Sequence, residues 1–176
     1  RVFDSPEELQ SAIMEKNDNQ SLGISRLTAT YDWEYSSQSK PKDSDYWCVR
    51  IGDWSCPWNR QLAKEKESKH LSWIEQSQTI HEIGSTFTVQ GFDLNYVGVI
   101  IGPSVKYRDG KIIFDISESK NKSAVQNRKL ESGEMINYGE TLLRNELNVL
   151  LTRGVNGLYV YAVDEELQQA LKNATK

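Results

Sequence analysis

Residues Asn145 to Asp164 read Asn-Glu-Leu-Asn-Val-Leu-Leu-Thr-Arg-Gly-Val-Asn-Gly-Leu-Tyr-Val-Tyr-Ala-Val-Asp. The first part closes an amphipathic helix. Starting near Gly139, Leu143, Leu147, Leu150 and Leu151 fall on one stripe at helical spacing. The last part, Gly157 to Val163, is a continuous apolar run of the kind found in strands covered on both faces. Thr152-Arg153-Gly154 lies between them, so Arg153 stands where a helix meets a strand of a parallel sheet. A guanidinium placed there can be aimed at a phosphate.

Working outward, a second apolar run, Tyr96 to Gly102, predicts another buried strand. It is preceded by Thr86-Phe87-Thr88-Val89-Gln90-Gly91-Phe92-Asp93, a block of small and polar groups with one glycine and one carboxylate. Ser5-Pro6-Glu7-Glu8 is a helix start with a capping serine and a proline in the first turn. The helix runs through Leu9, Ala12 and Ile13 to about Lys16. Leu22 to Trp33 reads as a strand, His81 to Ser85 as a short one, and Gln61 to Lys69 as a short solvated helix. Asp109-Gly110, between Val-Lys-Tyr-Arg and Lys-Ile-Ile-Phe, predicts a hairpin over 105–114. Asp164 caps a last helix with Leu167, Ala170 and Leu171 inward. Strands alternating with helices give an α/β layered fold in a single domain spanning residues 1–176.

The chain has 176 residues, 38% of them apolar, enough for one domain with a core. Its 21 basic and 25 acidic residues leave a net charge of −4, which argues against a chain that coats nucleic acid electrostatically. No apolar run is long enough for a membrane helix, so no membrane partner is expected and the predicted location is cytoplasmic. Cys48, Cys56, His70 and His81 do not have zinc-site spacing, so no metal site is expected and the cysteines read as free thiols. The opening Arg1-Val2-Phe3-Asp4 reads as the middle of a longer protein.

The Thr86 to Asp93 and Leu150 to Tyr161 blocks resemble the fifth and sixth motifs of superfamily 1 helicases. More closely, the chain is similar to the Schlafen group 3-like DNA/RNA helicase domain family. The matching residues are Val2-Phe3-Asp4-Ser5-Pro6, Tyr31-Asp32-Trp33-Glu34-Tyr35, Pro57-Trp58-Asn59, His81 through Pro103, and Asn145 through Asp164. The resemblance implies the second RecA-like domain of a two-domain P-loop NTPase: three layers, with a mostly parallel central sheet between helices. It implies ATP and Mg2+ as cofactors of the full-length protein, with none held tightly by this chain. It implies two partners, an N-terminal domain carrying the phosphate loop and DNA or RNA. No phosphate loop is present, since Gly110-Lys111 lacks the spacing and the following Ser or Thr. Alone, the chain is expected not to hydrolyse ATP.

Residue by residue, the resemblance makes Arg153 the catalytic arginine that reaches the γ-phosphate. Gln90 and Gly91 face the cleft and the nucleic-acid track. Asp93 can bond the nucleotide ribose, Thr88 is a phosphate or sugar contact, and Thr152 and Gly154 flank the arginine. Arg26 is a candidate second cleft arginine. The pattern departs from the family of motors in two places. Gly154, Val155 and Asn156 follow Arg153 where another basic residue often stands, and Gln-Gly replaces Lys-Gly. Plain alternatives remain open. Arg153 could bond the last carbonyls of its helix, Asp93 could cap, Gln90 could tie down its turn, and Trp47, Trp54 and Trp58 could pack in a core rather than stack on bases. The whole protein could also be a degenerate nucleotide-dependent switch or interaction module without unwinding activity, or the chain a free-standing binding domain.

Overall fold

The computed structural model describes residues 1–19, 23–63, 66–68 and 70–175. Helix α1 spans Pro6–Asp18. Ser5 Oγ accepts the Glu8 N–H at 3.2 Å, as the cap pattern predicts, but the Glu8 carboxylate accepts from Asp4 rather than from Ser5. Leu9 and Ile13, one turn apart, are buried.

Strand β1 is Ser25–Ala29, buried at every position. It is shorter than the Leu22 to Trp33 expected, and Leu22 itself lies outside the described residues. The strand stops because Asp32 takes over its end: the carboxylate accepts from Thr30 Oγ1 and from the Ser104 N–H, both at 3.0 Å. Strands β2 (Cys48–Ile51) and β3 (Trp54–Pro57) form a hairpin turning at Gly52, whose φ is +57°. Val49 faces Cys56 and Cys48 faces Pro57, so the two thiols point to opposite faces, and both are free. Two short 3-10 turns follow, Trp73–Glu75 and Ser77–His81. No helix forms among the described residues of 61–69, and Lys64, Glu65 and Lys69 lie outside them. The expected strand at His81 to Ser85 reduces to two isolated bridges, Ile83 with Trp58 and Gly84 with Thr28.

The short helix α2 (Thr86–Val89) leads into β4 (Leu94–Ile101). Strands β5 (Val105–Arg108) and β6 (Lys111–Phe114) form the expected hairpin. Asp109 and Gly110 have φ of +50° and +76°, as the tight hairpin turn requires. Then come α3 (Lys122–Val125), the two-residue strands β7 (Arg128–Lys129) and β8 (Met135–Ile136), α4 (Gly139–Leu151), β9 (Gly154–Ala162) and α5 (Glu165–Ala174). Asp164 caps α5 by accepting the Leu167 N–H at 3.0 Å.

The main sheet has the order β1-β4-β9 and is parallel throughout. Central β4 is buried on both faces. Val97, Val99 and Ile101 pack with Leu143, Leu147 and Leu150 of α4 and Leu167 of α5. Ile100 points the other way, into a core with Leu9, Ile13 and Leu27. Gly98 sits on that face because a Cβ there would stand 2.7 Å from Ile13 and Leu27. Strand β9 begins earlier than the apolar run suggests and is only half-buried along most of its length. It lies at the sheet's edge, where its outer neighbour is the single bridge from Val2 to Val160. The chain is thus an α/β fold: a parallel sheet flanked by helices, with small antiparallel hairpins beside it.

Candidate functional site

Strands β4 and β9 are neighbours, and Leu94 is in register with Gly154. The residues just before each strand therefore meet. The Leu94 N–H donates to the Arg153 carbonyl at 2.8 Å. Arg153 Nη1 lies 3.8 Å from Asp93 Oδ1 and 3.4 Å from the Phe92 carbonyl. Arg153 Nε donates to the Val149 carbonyl at 3.0 Å, in the last turn of α4. Helix-end bonding and the pairing with Asp93 therefore coexist in this conformation. Thr152 Oγ1 donates to the Asn148 carbonyl at 2.8 Å, which closes the helix. Gly154 admits no side chain, because a Cβ would lie 2.3 Å from the Gly157 carbonyl.

In the Thr86 to Asp93 block, the Thr88 hydroxyl accepts from the Ser85 N–H and donates to the Ser85 carbonyl, both at 2.8 Å. Thr88 is buried and faces inward. Gln90 ends α2 with an exposed side chain. Gly91 has φ +84°, a conformation that favours glycine. Asp93 is exposed. Of the expected cleft residues, the structure brings Gln90, Gly91, Asp93, Thr152, Arg153 and Gly154 to one corner of the fold.

Arg26 is not brought there. It is 3% exposed, and its guanidinium donates to Thr79 Oγ1, Asn17 Oδ1 and the carbonyls of Ser25 and Gln76. It ties β1 to α1 and to the 77–81 turn. Burial pushes its pKa down to about 10. The tryptophans also pack inward. Trp58 is fully buried under Tyr31, Trp33 and Tyr35, with Nε1 donating to the Glu34 carbonyl. Trp54 Nε1 donates to Gln10 and Trp47 Nε1 to the Ser39 carbonyl.

The sequence reading overlooked Glu146. It is 7% exposed on the buried side of α4. Its Oε1 accepts from the Tyr31 N–H at 3.1 Å and from Thr86 Oγ1 at 3.0 Å, while Oε2 has no hydrogen-bond partner among the described residues. Burial raises its pKa to about 7. The Asp32 charge pushes the same way, while Thr86, Tyr31 and the nearby Asn121 pull it back. The available signal was its position, three residues after Leu143 and four before Leu150, on the apolar stripe. Glu146 backs a hollow of about 280 Å³ that is also lined by Thr86, Phe87, Gln90, Arg128 and Asn145. Phe87 is 57% exposed at its mouth.

One guanidinium and one exposed carboxylate at this corner offer hydrogen-bond donors to an anion and an acceptor to a hydroxyl. They do not form a phosphate cradle, and Gly110-Lys111 is used up in the β5–β6 turn. Among the described residues no group of three or more His, Cys, Asp or Glu side chains is arranged to hold a metal ion, and no helix is long and apolar enough to cross a membrane.

The sequence blocks quoted for the resemblance also converge in space. Trp58 bridges to Ile83, Asn59 Oδ1 accepts from Ser85 Oγ at 2.6 Å, and Val2 bridges to Val160. No solved structure matches the chain. The chain is 36% identical over 178 aligned positions to the uncharacterized protein YPL245W of Saccharomyces cerevisiae. That alignment covers 100% of this chain and 37% of the yeast protein, so the chain spans little more than a third of the relative's length. Residues 1–164 match the family described as Schlafen group 3, DNA/RNA helicase domain, and the chain belongs to that family.

Proposed function

We propose that this chain is the second RecA-like domain of a superfamily 1 helicase-like ATPase and that it contributes Arg153 to a composite nucleotide site. The observation that carries the reading is the position of Arg153 beside Asp93 at the amino-terminal ends of β9 and β4. An open parallel sheet builds its own ligand crevice at its carboxyl edge. A guanidinium at the opposite edge, flanked by exposed Phe92 and Val155, suits a surface presented to another domain. The partner of that surface would be a phosphate-loop domain elsewhere in the full-length protein. ATP with Mg2+, when bound there, supplies the scissile phosphoanhydride. Arg153 would stabilise charge on the transferred phosphoryl group, Asp93 would accept a ribose hydroxyl, and Gln90 and Gly91 would face DNA or RNA.

The test is Arg153→Ala in the full-length protein. Nucleic-acid-stimulated ATP hydrolysis should fall by about a thousandfold or more, the usual worth of an arginine finger. Undiminished hydrolysis by a folded variant overturns the assignment.

A second reading, a nucleotide-dependent switch without unwinding, is favoured by the net charge of −4 and by Val155 and Asn156 where a second cation often stands. Strand-displacement assays separate the two: a switch binds or hydrolyses ATP and displaces no strand.

A further inference from the structure

Glu146 occupies a place where an apolar side chain would continue the Leu143–Leu147–Leu150 stripe at lower cost. One of its oxygens instead holds two other segments at once. It accepts from Tyr31, in the chain leaving β1, and from Thr86, the first residue of α2. Helix α2 runs directly into Gln90-Gly91-Phe92-Asp93, and α4, which carries Glu146, runs directly into Arg153. The carboxylate therefore ties together, inside the fold, the two segments whose ends meet outside as the Arg153–Asp93 pair.

We infer that Glu146 is a positioning residue that fixes the Gln90–Asp93 turn relative to the arginine-bearing helix, and that losing its proton loosens this link. The mechanical part stands on the geometry alone; its effect on catalysis rests on the function proposed above.

An ionised Glu146 stands desolvated with one oxygen unpartnered among the described residues, a cost that exceeds the gain from its stronger hydrogen bonds and that opening the link to water relieves. The charged or titratable groups facing Glu146 are Tyr31 and Asp32 beyond β1 and Arg128 across the hollow, while α2 presents the Thr86 hydroxyl and the start of α3 the Asn121 amide. Asp32 is itself buried, with Oδ1 lacking a hydrogen-bond partner among the described residues, and it opposes ionisation of its neighbour. Burial places the change of charge near neutral pH. Below that pH the link is tight, and above it the link is slack.

The experiment is hydrogen–deuterium exchange on the full-length protein at pH 6 and pH 8, corrected for intrinsic rates, in wild type, Glu146→Gln and Glu146→Ala. In wild type, segments 86–93 and 150–154 should be about tenfold better protected at pH 6, the ratio that linkage gives for a carboxyl that ionises near neutral pH when closed and at its ordinary pKa when opened to water. Glu146→Gln keeps an acceptor oxygen without a titratable proton, so its protection should match at the two pH values. Glu146→Ala should leave both segments unprotected at either pH. A Glu146→Gln variant that keeps the wild-type pH dependence overturns the inference. So does a wild type with no pH dependence, or one whose change is spread evenly over the domain. This readout needs no ATP hydrolysis. A failure of Arg153→Ala to impair hydrolysis would therefore remove the proposed function and leave this positioning role standing.

Discussion

Arg153 Nη1 and Asp93 Oδ1 stand 3.8 Å apart at the heads of two adjacent parallel strands, with the Arg153 side chain 23% exposed and that of Asp93 71% exposed. The separation is at the outer limit of an ion pair, and one partner is largely in water. Such pairs contribute only about 0–1 kcal/mol. Asp93 therefore holds the guanidinium loosely, as the proposed role of Arg153 toward a phosphate requires.

The first prediction follows from that loose hold. Asp93→Asn should change unfolding free energy by less than about 1 kcal/mol in denaturant titrations. In the full-length protein it should weaken ATP binding relative to 2′-deoxy-ATP or 3′-deoxy-ATP, if Asp93 accepts a ribose hydroxyl. Equal discrimination among these nucleotides in wild type and variant would count against that contact.

Arg26 gives the second prediction. Its buried guanidinium satisfies Asn17, Thr79 and two carbonyls. Arg26→Ala would leave those acceptors buried and unpaired and open a cavity beside β1. A loss of about 2–3 kcal/mol in stability is expected. At temperatures where the variant is folded, nucleotide affinity should stay at the wild-type level. A selective loss of nucleotide binding would return Arg26 to the cleft.

These two arginines show where the sequence was readable and where it was not. The Arg153 corner could be read because it depends on local chain order: a helix, a two-residue turn, then a strand, beside a second block that also precedes a strand. The Asp109-Gly110 hairpin and the Asp164 cap were readable for the same reason, since turn and cap chemistry is local. Arg26 lies in a strand whose composition says nothing about the Thr79 and Asn17 groups that enclose it. The carboxyl end of β1 is set where Asp32 meets Ser104, and the bridges at Ile83 and Gly84 by Trp58 and Thr28, contacts between segments far apart in sequence. The Thr86 to Asp93 block contains a short helix because Ser85 and Thr88 bond each other, a pattern four residues long among β-branched neighbours. Glu146 alone left a mark, as an acid on a leucine stripe.

That mark leads to the third prediction, on stability against pH. Glu146 has its folded-state pKa raised from an ordinary 4.5 to about 7. Between those values the folded chain keeps a proton that the unfolded chain has released, so stability falls as pH rises through the window. The difference is on the order of 3 kcal/mol between pH 4.5 and pH 8. Glu146→Gln should remove this slope and be more stable than wild type at pH 8, even though it lacks the charged acceptor. Thermal melts of both proteins across that range check it, and parallel slopes would exclude Glu146 as the titrating group.

Asp164 gives the fourth prediction, with the opposite sign. Arg108 reaches it with two nitrogens, at 2.9 and 2.7 Å, and the Leu167 and Tyr107 N–H groups also donate to it. The Arg108 bonds lead, helped by the backbone donors, in holding its pKa down at about 2. A depressed carboxylate stabilises the fold above its ordinary pKa near 3.8, and that contribution disappears as pH falls toward 2. The same group caps α5 and fastens the β5–β6 hairpin to it, so Asp164→Ala should destabilise both attachments. The cap alone is worth about 1 kcal/mol. Asp164→Asn keeps an acceptor for Leu167 and Tyr107 but loses the charge that holds Arg108. It should lie between wild type and Ala at pH 7 and converge with wild type near pH 2. If Asn and Ala were equally destabilised at pH 7, the capping bonds would be carrying nothing, and the attachment would rest on the Arg108 ion pair alone.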